Sequence, residues 1–440
     1  MAAEVGVPSV FPLVGLPADR NRPVATSGAG FDGRIKEREE DFLVEELPGV
    51  EPCGGGEHLH LFVEKRGVTT PDMAGALAKH FGVRRSAVGF AGLKDRVAVA
   101  RQLVSVHLPG VEARAPESLM GGRVRPLWAA RHTSKLRRGQ CEGNRFVIRV
   151  RGAEPTAAVT AFRVLRELER HGVPNAFGQQ RFGARLNNHV VGAAMLRGDW
   201  RGAVDAMMSF GAGGDDSVRS AASRYEAGDP RGAIAELPSG ASIERLVLRS
   251  LEKGGSHERA IRSLHERDIA FYISAAQSAA FNAYLWWRWR EGLIDGAAEG
   301  DVVWSASERD ARGVWSRVGA EGSDVDSFRL TGPMWGPNMP RAEGRVDEAE
   351  LDALRAAGLG VDDLDRMRGI AGGALRGARR PLKVRVSNTD AEGGVDEHGA
   401  YVRVAFDLPA GAYATTVLSM MMGEGSRAKI GEDEGVFEDV

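Results

Sequence analysis

The chain is expected to fold as an α+β protein, on three observations. Stretches of alternating apolar and polar residues lie towards both ends: His58–Val63, Gln102–His107, Asn144–Arg151 and Tyr401–Leu408. This is the pattern of strands with one buried face. Helical patterns separate them, over 155–171 and 271–290, with shorter ones across 187–270. Finally, 440 residues that are 43% apolar and 27% charged have the composition of an ordinary globular protein and the length of two or three domains.

Taken in order, residues 1–30 hold Gly, Pro and Ala with little periodicity and read as an N-terminal arm. Gly33–Lys36 and Glu40–Glu46 read as a strand leaving an acidic turn. His58 and His60 share one face of the next strand, and further metal ligands at suitable spacing do not stand out. Thr70, Pro71 and Asp72 mark a helix start, with Thr70 as N-cap, running through Met73, Leu77 and Phe81 to Gly82. Ala87–Ala91 reads as a buried strand, where Gly89 and Gly92 let another backbone or a ligand come close. Residues 108–122 form a loop. Val159, Phe162, Leu165 and Leu168 line a helix that Gly172 ends. After the long helix to Arg290, residues 295–345 show few periodic runs, and Asp347–Gly358 is a short helix. Leu382–Val386 and Tyr401–Leu408 read as a hairpin around a turn at 390–399. A last helix follows Thr416, and 425–440 is an acidic tail.

Three stretches carry chemistry. Gly89–Arg96 places Asp95 at a strand end between Lys94 and Arg96. Cations favour the charged carboxylate and also attract phosphate, an arrangement that suits an enzyme acting on a polyanion. Residues 131–151 are the most basic part of the chain, with Arg131, Lys135, Arg138 and Arg145 among them. Phe146, Ile148 and Val150 point one way and Arg145, Arg149 and Arg151 the other, so an arginine face is expected to bind an RNA backbone. Gly172–Gly183 combines glycines, Pro174, amides and two phenylalanines. Such a loop can stack an unpaired base on an aromatic ring and read its edge with Asn or Gln. The net charge of -2 supplies no global basic field, so any nucleic-acid surface must be local. Cys53 and Cys141 form neither a zinc set nor a disulfide framework. There is no leader pattern and no run of membrane-spanning length, which makes the cytoplasm the expected location.

Gly92-Leu93-Lys94-Asp95-Arg96, followed by Ala98, Val99 and Gln102, resembles the signature of the TruD family of pseudouridine synthases. The likeness extends from about 33 to 418. It takes in Lys36 with Glu40-Asp41-Phe42, the segment from Arg131 to Phe146, Pro174–Gly183, Ser274–Asn282, Thr331–Gly336 and Leu408–Thr416. Beyond Leu418 the chain departs from the family pattern, with Ser419-Met420 where Arg-Glu is usual. The resemblance implies a pseudouridine synthase-fold catalytic domain, a mixed, largely antiparallel sheet flanked by helices, in two parts at 31–199 and 376–424. An inserted, mostly helical domain would occupy 200–375, and the cleft between them would hold RNA. It implies isomerisation of uridine to pseudouridine in tRNA, at uridine 13, with Asp95 as nucleophile or base. Lys36 would be a partner of Asp95 or of phosphate, and would orient charge around Asp95 together with Arg181. Asn175 and Phe177 would line the uridine pocket, and Tyr413 would pack near the target base. Lys94, Arg96, Arg131, Lys135, Arg138 and Arg145 would contact RNA. No metal or cofactor is expected, because the reaction needs neither a redox step nor an external group; the protein is expected to be a monomer. The alternative is a non-catalytic RNA-binding protein of the same fold. A carboxylate hydrolase would need a second acid or a metal beside Asp95.

Overall fold

The alternating stretches assemble into one eight-stranded sheet. A computed structural model of the protein describes residues 30–422, apart from 113, 184, 210–215, 308–309, 320–327 and 368–374. The expected N-terminal arm and acidic tail lie outside the described residues, save residue 30. The chain divides into two units, at Val173/Pro174 and at Lys383/Val384.

The unit built from the two ends of the chain holds the large sheet. Its strands are β1 (Phe42–Pro48), β2 (His58–Arg66), β3 (Val88–Phe90), β4 (Val99–His107), β5 (Val124–His132), β6 (Cys141–Arg151) and the hairpin Ser387–Asp396/Gly399–Pro409. The order runs hairpin, β6, β1, β4, β2, β5, with β3 also pairing β4. Only β1 and β4 run parallel; the other neighbours are antiparallel. Helix α1 (Thr70–His80) packs Met73 and Leu77 onto Leu59, Leu61, Val63, Val104 and Val106. Burying such side chains stabilises the unit by roughly 1.5–3 kcal/mol each. The N-cap is Thr69, not Thr70: its hydroxyl accepts from the Asp72 amide at 3.1 Å, which leaves Thr70 buried with other work. Helix α2 (Ala158–His171) buries Ala161, Val164, Leu165 and Leu168 and ends at Gly172. The expected stripe is partly corrected, because Val159 and Phe162 are exposed. A turn of about 3.6 residues carries them away from the i, i+3, i+4, i+7 face that is buried.

The C-terminal hairpin also differs from expectation. Its first strand is Ser387–Asp396, and the turn is only Glu397-His398. Gly393 and Gly394 read as turn residues in the sequence, but they lie in the strand. A Cβ on Gly393 would meet the Pro155 carbonyl at 2.1 Å, and one on Gly394 would meet the Tyr401 ring. These glycines answer close approach rather than chain reversal.

The other unit, Pro174–Lys383, is helical around the long helix Glu266–Arg290, which begins five residues before the expected Phe271 and is buried along most of its length. It also contains a four-stranded sheet in the order Ala378–Pro381, Arg329–Met334, Val302–Ser307, Asp310–Arg317. The described unit therefore begins before residue 200, continues past 375 and is not helical alone. Two contacts draw 174–199 into it: the helix Asn188–Arg197 packs on the long helix, and the Asn175 amide donates to the Leu382 carbonyl at 2.8 Å. Among the described residues, no helix is long and apolar enough to cross a membrane.

Candidate active site

Asp95 follows the short strand β3 on a loop held from behind. Three interior side chains hold it. Lys65, at the buried end of β2, donates from Nζ to the carbonyls of Val68 (2.7 Å), Lys94 (3.0 Å) and Asp95 itself (2.6 Å). The Thr70 hydroxyl accepts the Lys94 amide at 3.0 Å and donates to Gln102 Oε1 at 2.9 Å. Gln102 Nε2 then donates to the Gly92 carbonyl at 3.2 Å. The residues from Gly92 to Asp95 are thereby tied to β2, α1 and β4. Thr70 and Gln102 are fully buried, so each bond forms away from competing water.

The Asp95 carboxylate remains one-third exposed, and the Lys36 ammonium lies 3.3 Å from its Oδ2. Lys36 is itself buried, 4.6 Å from the centre of the Phe42 ring. Its backbone is left-handed, with φ 56°, a conformation uncommon for a residue other than glycine. A reachable carboxylate beside a sheltered, fixed cation can serve as a nucleophile or a base. Lys36 and Asp95 are brought together as expected.

Lys94 is a correction. It is buried, and its Nζ donates to Glu46 Oε2 at 2.8 Å, while Glu46 Oε1 accepts the Leu103 amide. The Lys94 side chain points inward onto Glu46, so it is not placed to meet RNA. Arg96 and Arg138 are exposed. Arg131 donates to the carbonyls of Leu108 and Val111, and Lys135 donates to that of Ser86 at 2.6 Å.

The arginine face of β6 is likewise not an open cationic platform. Strand pairing sets Arg145 opposite Glu45 on one side and Asp407 on the other, and Arg145 bonds Asp407 at 2.9 Å. Arg151 is buried between Asp41 and Asp396. These carboxylates raise the Arg151 pKa further above its ordinary value and hold that of Asp396 down to about 2. The acids missing beside these arginines in the sequence arrive from elsewhere in the fold: Asp407 from the adjacent hairpin strand, Asp41 from the turn before β1 and Asp396 from the outer hairpin strand.

Asn175, Phe177 and Arg181 form a second group, within the 174–383 unit. Asn175 is buried; its Nδ2 donates to the Pro381 carbonyl at 2.9 Å and its Oδ1 accepts from Arg380 at 2.5 Å. Phe177 is also buried, meets Phe281 edge-on and carries the Arg380 guanidinium 4.2 Å from its ring centre. Asn282, on the long helix, bonds both the amide and the carbonyl of Phe177, at 2.9 and 3.0 Å. Arg181 reaches Ser274 on the same helix at 3.1 Å. Tyr413 is half-buried at the start of the last helix, Ala414–Met421.

Lys65, Thr70, Gln102, Glu46, Asn282 and Arg380 organise these groups; the sequence reading made Thr70 an N-cap and placed Gln102 and Asn282 in stretches that resemble the family, but gave none of the six a role at the site. The available signal was a polar side chain inside an otherwise apolar element, as with Gln102 in β4 and Asn282 in the long helix. Among the described residues, no group of three or more His, Cys, Asp or Glu side chains is arranged to hold a metal ion. His58 and His107 stack at 4.7 Å instead, and His60 and His132 lie at 4.6 Å.

Comparison with known proteins gives a consistent outcome. The family model described as tRNA pseudouridine synthase D (TruD) matches residues 21–421. A tRNA pseudouridine synthase D from Geotalea daltonii is 39% identical over 404 residues, covering 89% of this chain and 97% of the relative. Another, from Geobacter sulfurreducens, is 40% identical over 401 residues and covers 89% and 94%. A crystal structure from Methanosarcina mazei that carries the TruD name superposes with a TM-score of 0.72 at 25% identity, covering 89% of this chain and 94% of that one. Its likeness agrees with the mixed, largely antiparallel α+β architecture, and the match across nearly the whole length means that this chain belongs to the tRNA pseudouridine synthase D (TruD) family.

Proposed function

We propose that the chain converts uridine to pseudouridine in transfer RNA, at uridine 13, with Asp95 as the catalytic carboxylate. The observation that carries this reading is the Asp95–Lys36 pair. A partly exposed carboxylate on a restrained loop faces a buried ammonium 3.3 Å away, in a chain whose relatives bear the name of the activity. The reaction breaks the bond from ribose C1′ to uracil N1, turns the base, and forms a bond from C1′ to C5, with the C5 proton leaving. Nothing is oxidised and no group is imported, so no cofactor takes part. Asp95 either adds to the substrate or abstracts a sugar proton, and Lys36 stabilises its charged form.

The uridine must leave the RNA stack, at a cost of a few kcal/mol that an aromatic pocket offsets. Phe177 and Tyr413 supply that surface, Asn175 reads the uracil edge, and Arg181 orients charge. Base entry exchanges the present bonds of Asn175 and the guanidinium cover of Phe177 for contacts with the substrate. Arg96 and Arg138 contact the RNA backbone, aided by Arg131, Lys135 and Arg145 where their internal bonds allow. The catalytic domain corresponds to the unit with the eight-stranded sheet and the insert to the other unit. The protein works as a cytoplasmic monomer.

The test is pseudouridine mapping at single-nucleotide resolution after incubation with unmodified tRNA. The wild type converts uridine 13, whereas Asp95→Ala binds the RNA and converts nothing. Binding without conversion by the wild type, in tRNA and in total RNA alike, would overturn the reading in favour of an RNA-binding protein.

A further inference from the structure

We infer that Lys65, acting with Thr70, is a positioning residue for Asp95: it aims the carboxylate by holding the carbonyl of the same residue. The inference rests on the pseudouridine synthase reading and adds a group to it. Lys65 is fully buried, and its ammonium bonds the loop backbone rather than the Asp95 carboxylate. Its bonds span two segments, the stretch at Val68 between β2 and α1 and the loop at Lys94–Asp95. Two of them fall on the peptide units that flank Asp95 and determine where its side chain leaves the chain. Thr70 closes the remaining freedom, because it accepts the amide of Lys94 while its own proton goes to Gln102. An ammonium with three donors satisfies three carbonyls at once, which a neutral side chain of similar length cannot do.

This arrangement differs from generic core support in what it restrains. β3 is only three residues long and ends at Phe90, so sheet pairing does not reach Asp95. The loop from Gly92 to Asp95 is held instead by Lys65, Thr70 and Gln102. Loosening that hold leaves the sheet, α1 and the RNA-facing surface in place but lets the carboxylate wander. A misplacement of about 1 Å is worth about 10²-fold in the chemical step.

The experiment compares Lys65→Met, Thr70→Val and Thr70→Ser with the full-length wild type on unmodified tRNA. It measures single-turnover pseudouridine formation, the dissociation constant for the RNA, and hydrogen exchange of the Lys94 amide. Lys65→Met and Thr70→Val are expected to slow the single-turnover step by about 10²-fold with an unchanged dissociation constant. Thr70→Ser keeps the hydroxyl and recovers the rate. The Lys94 amide exchanges faster in Thr70→Val and not in Thr70→Ser. Should Lys65→Met fail to fold, the two Thr70 variants decide alone. Wild-type rates in Thr70→Val, a loss confined to RNA affinity, or slow Lys94 exchange in Thr70→Val would each overturn the inference. A wild type that forms no pseudouridine defeats the functional reading instead, and the exchange measurement still judges the clamp.

Discussion

Lys94 and Asp95 are neighbours with opposite surroundings, and the difference decides what each can do. Asp95 keeps contact with solvent beside Lys36. Lys94 turns inward onto Glu46, with both side chains at least nine-tenths buried. Removing one partner of a buried pair strands the other charge, at a cost of about 3–5 kcal/mol. Lys94→Met is therefore expected to lower the urea midpoint strongly, and adding Glu46→Gln to recover much of the loss, since the amide can still accept from Leu103. Under an RNA-contact role, Lys94→Met would instead weaken tRNA binding at unchanged stability. Denaturation and binding measured on the same variants separate the two. Lys36→Met poses the complementary question. It removes the cation beside Asp95, so the single-turnover rate falls while the tRNA dissociation constant changes little; an unchanged rate would take Lys36 out of the site.

At the level of elements, polar residues on helices and strands shape the loops beside them. The long helix Glu266–Arg290 presents Asn282 to both backbone groups of Phe177 and Ser274 to Arg181. Asn282→Ala leaves a buried amide and a buried carbonyl without these partners, each worth roughly 1–3 kcal/mol. The expected outcome is a loss of about 2–6 kcal/mol in chemical denaturation, together with faster exchange of the Phe177 amide. Retained protection of that amide would show that the helix does not hold the loop. The same logic explains the arginines of β6: their acidic partners sit on the segment just before β1 and on the C-terminal hairpin. They restrain the sheet.

For the whole molecule, each unit contains histidines kept neutral by burial. Burial, with help from His107, lowers the His58 pKa, and burial lowers that of His60. In the 174–383 unit, burial takes His189 down to about 4. Unfolded imidazoles take up a proton near pH 6.5, while these folded ones do so only at lower pH. The unfolded state then binds more protons, so their contribution is complete above about pH 6.5 and declines as pH falls, for His189 down to about 4. Asp396 acts in the same direction at lower pH, because its stabilisation is lost as pH falls towards about 2. Both units are expected to lose stability between pH 7 and 5. His189→Leu should flatten the decline in the 174–383 unit, as followed by hydrogen exchange resolved by unit. An equally steep decline in that variant would assign the acid sensitivity elsewhere.

The α+β class, most strands and the two long helices were legible in the sequence, because they rest on local periodicity and on stop residues such as Gly172. So were the candidates Asp95 and Lys36, through motif resemblance. Where a side chain ends up is not local. Lys94 and Asp95 look alike as members of one charged triplet, yet the loop tied to Lys65, Thr70 and Gln102 sends one inward and leaves the other at the surface. The arginines of 145–151 have few acids near them in the chain, but the C-terminal hairpin supplies Asp407 and Asp396 from more than 200 residues away. Gly393 and Gly394 resemble a turn until Pro155 and Tyr401 are seen packed against them. Local pattern determined the elements and the candidate chemistry. Pairing and burial, which depend on residues far apart in the chain, decided which charges remain free to act.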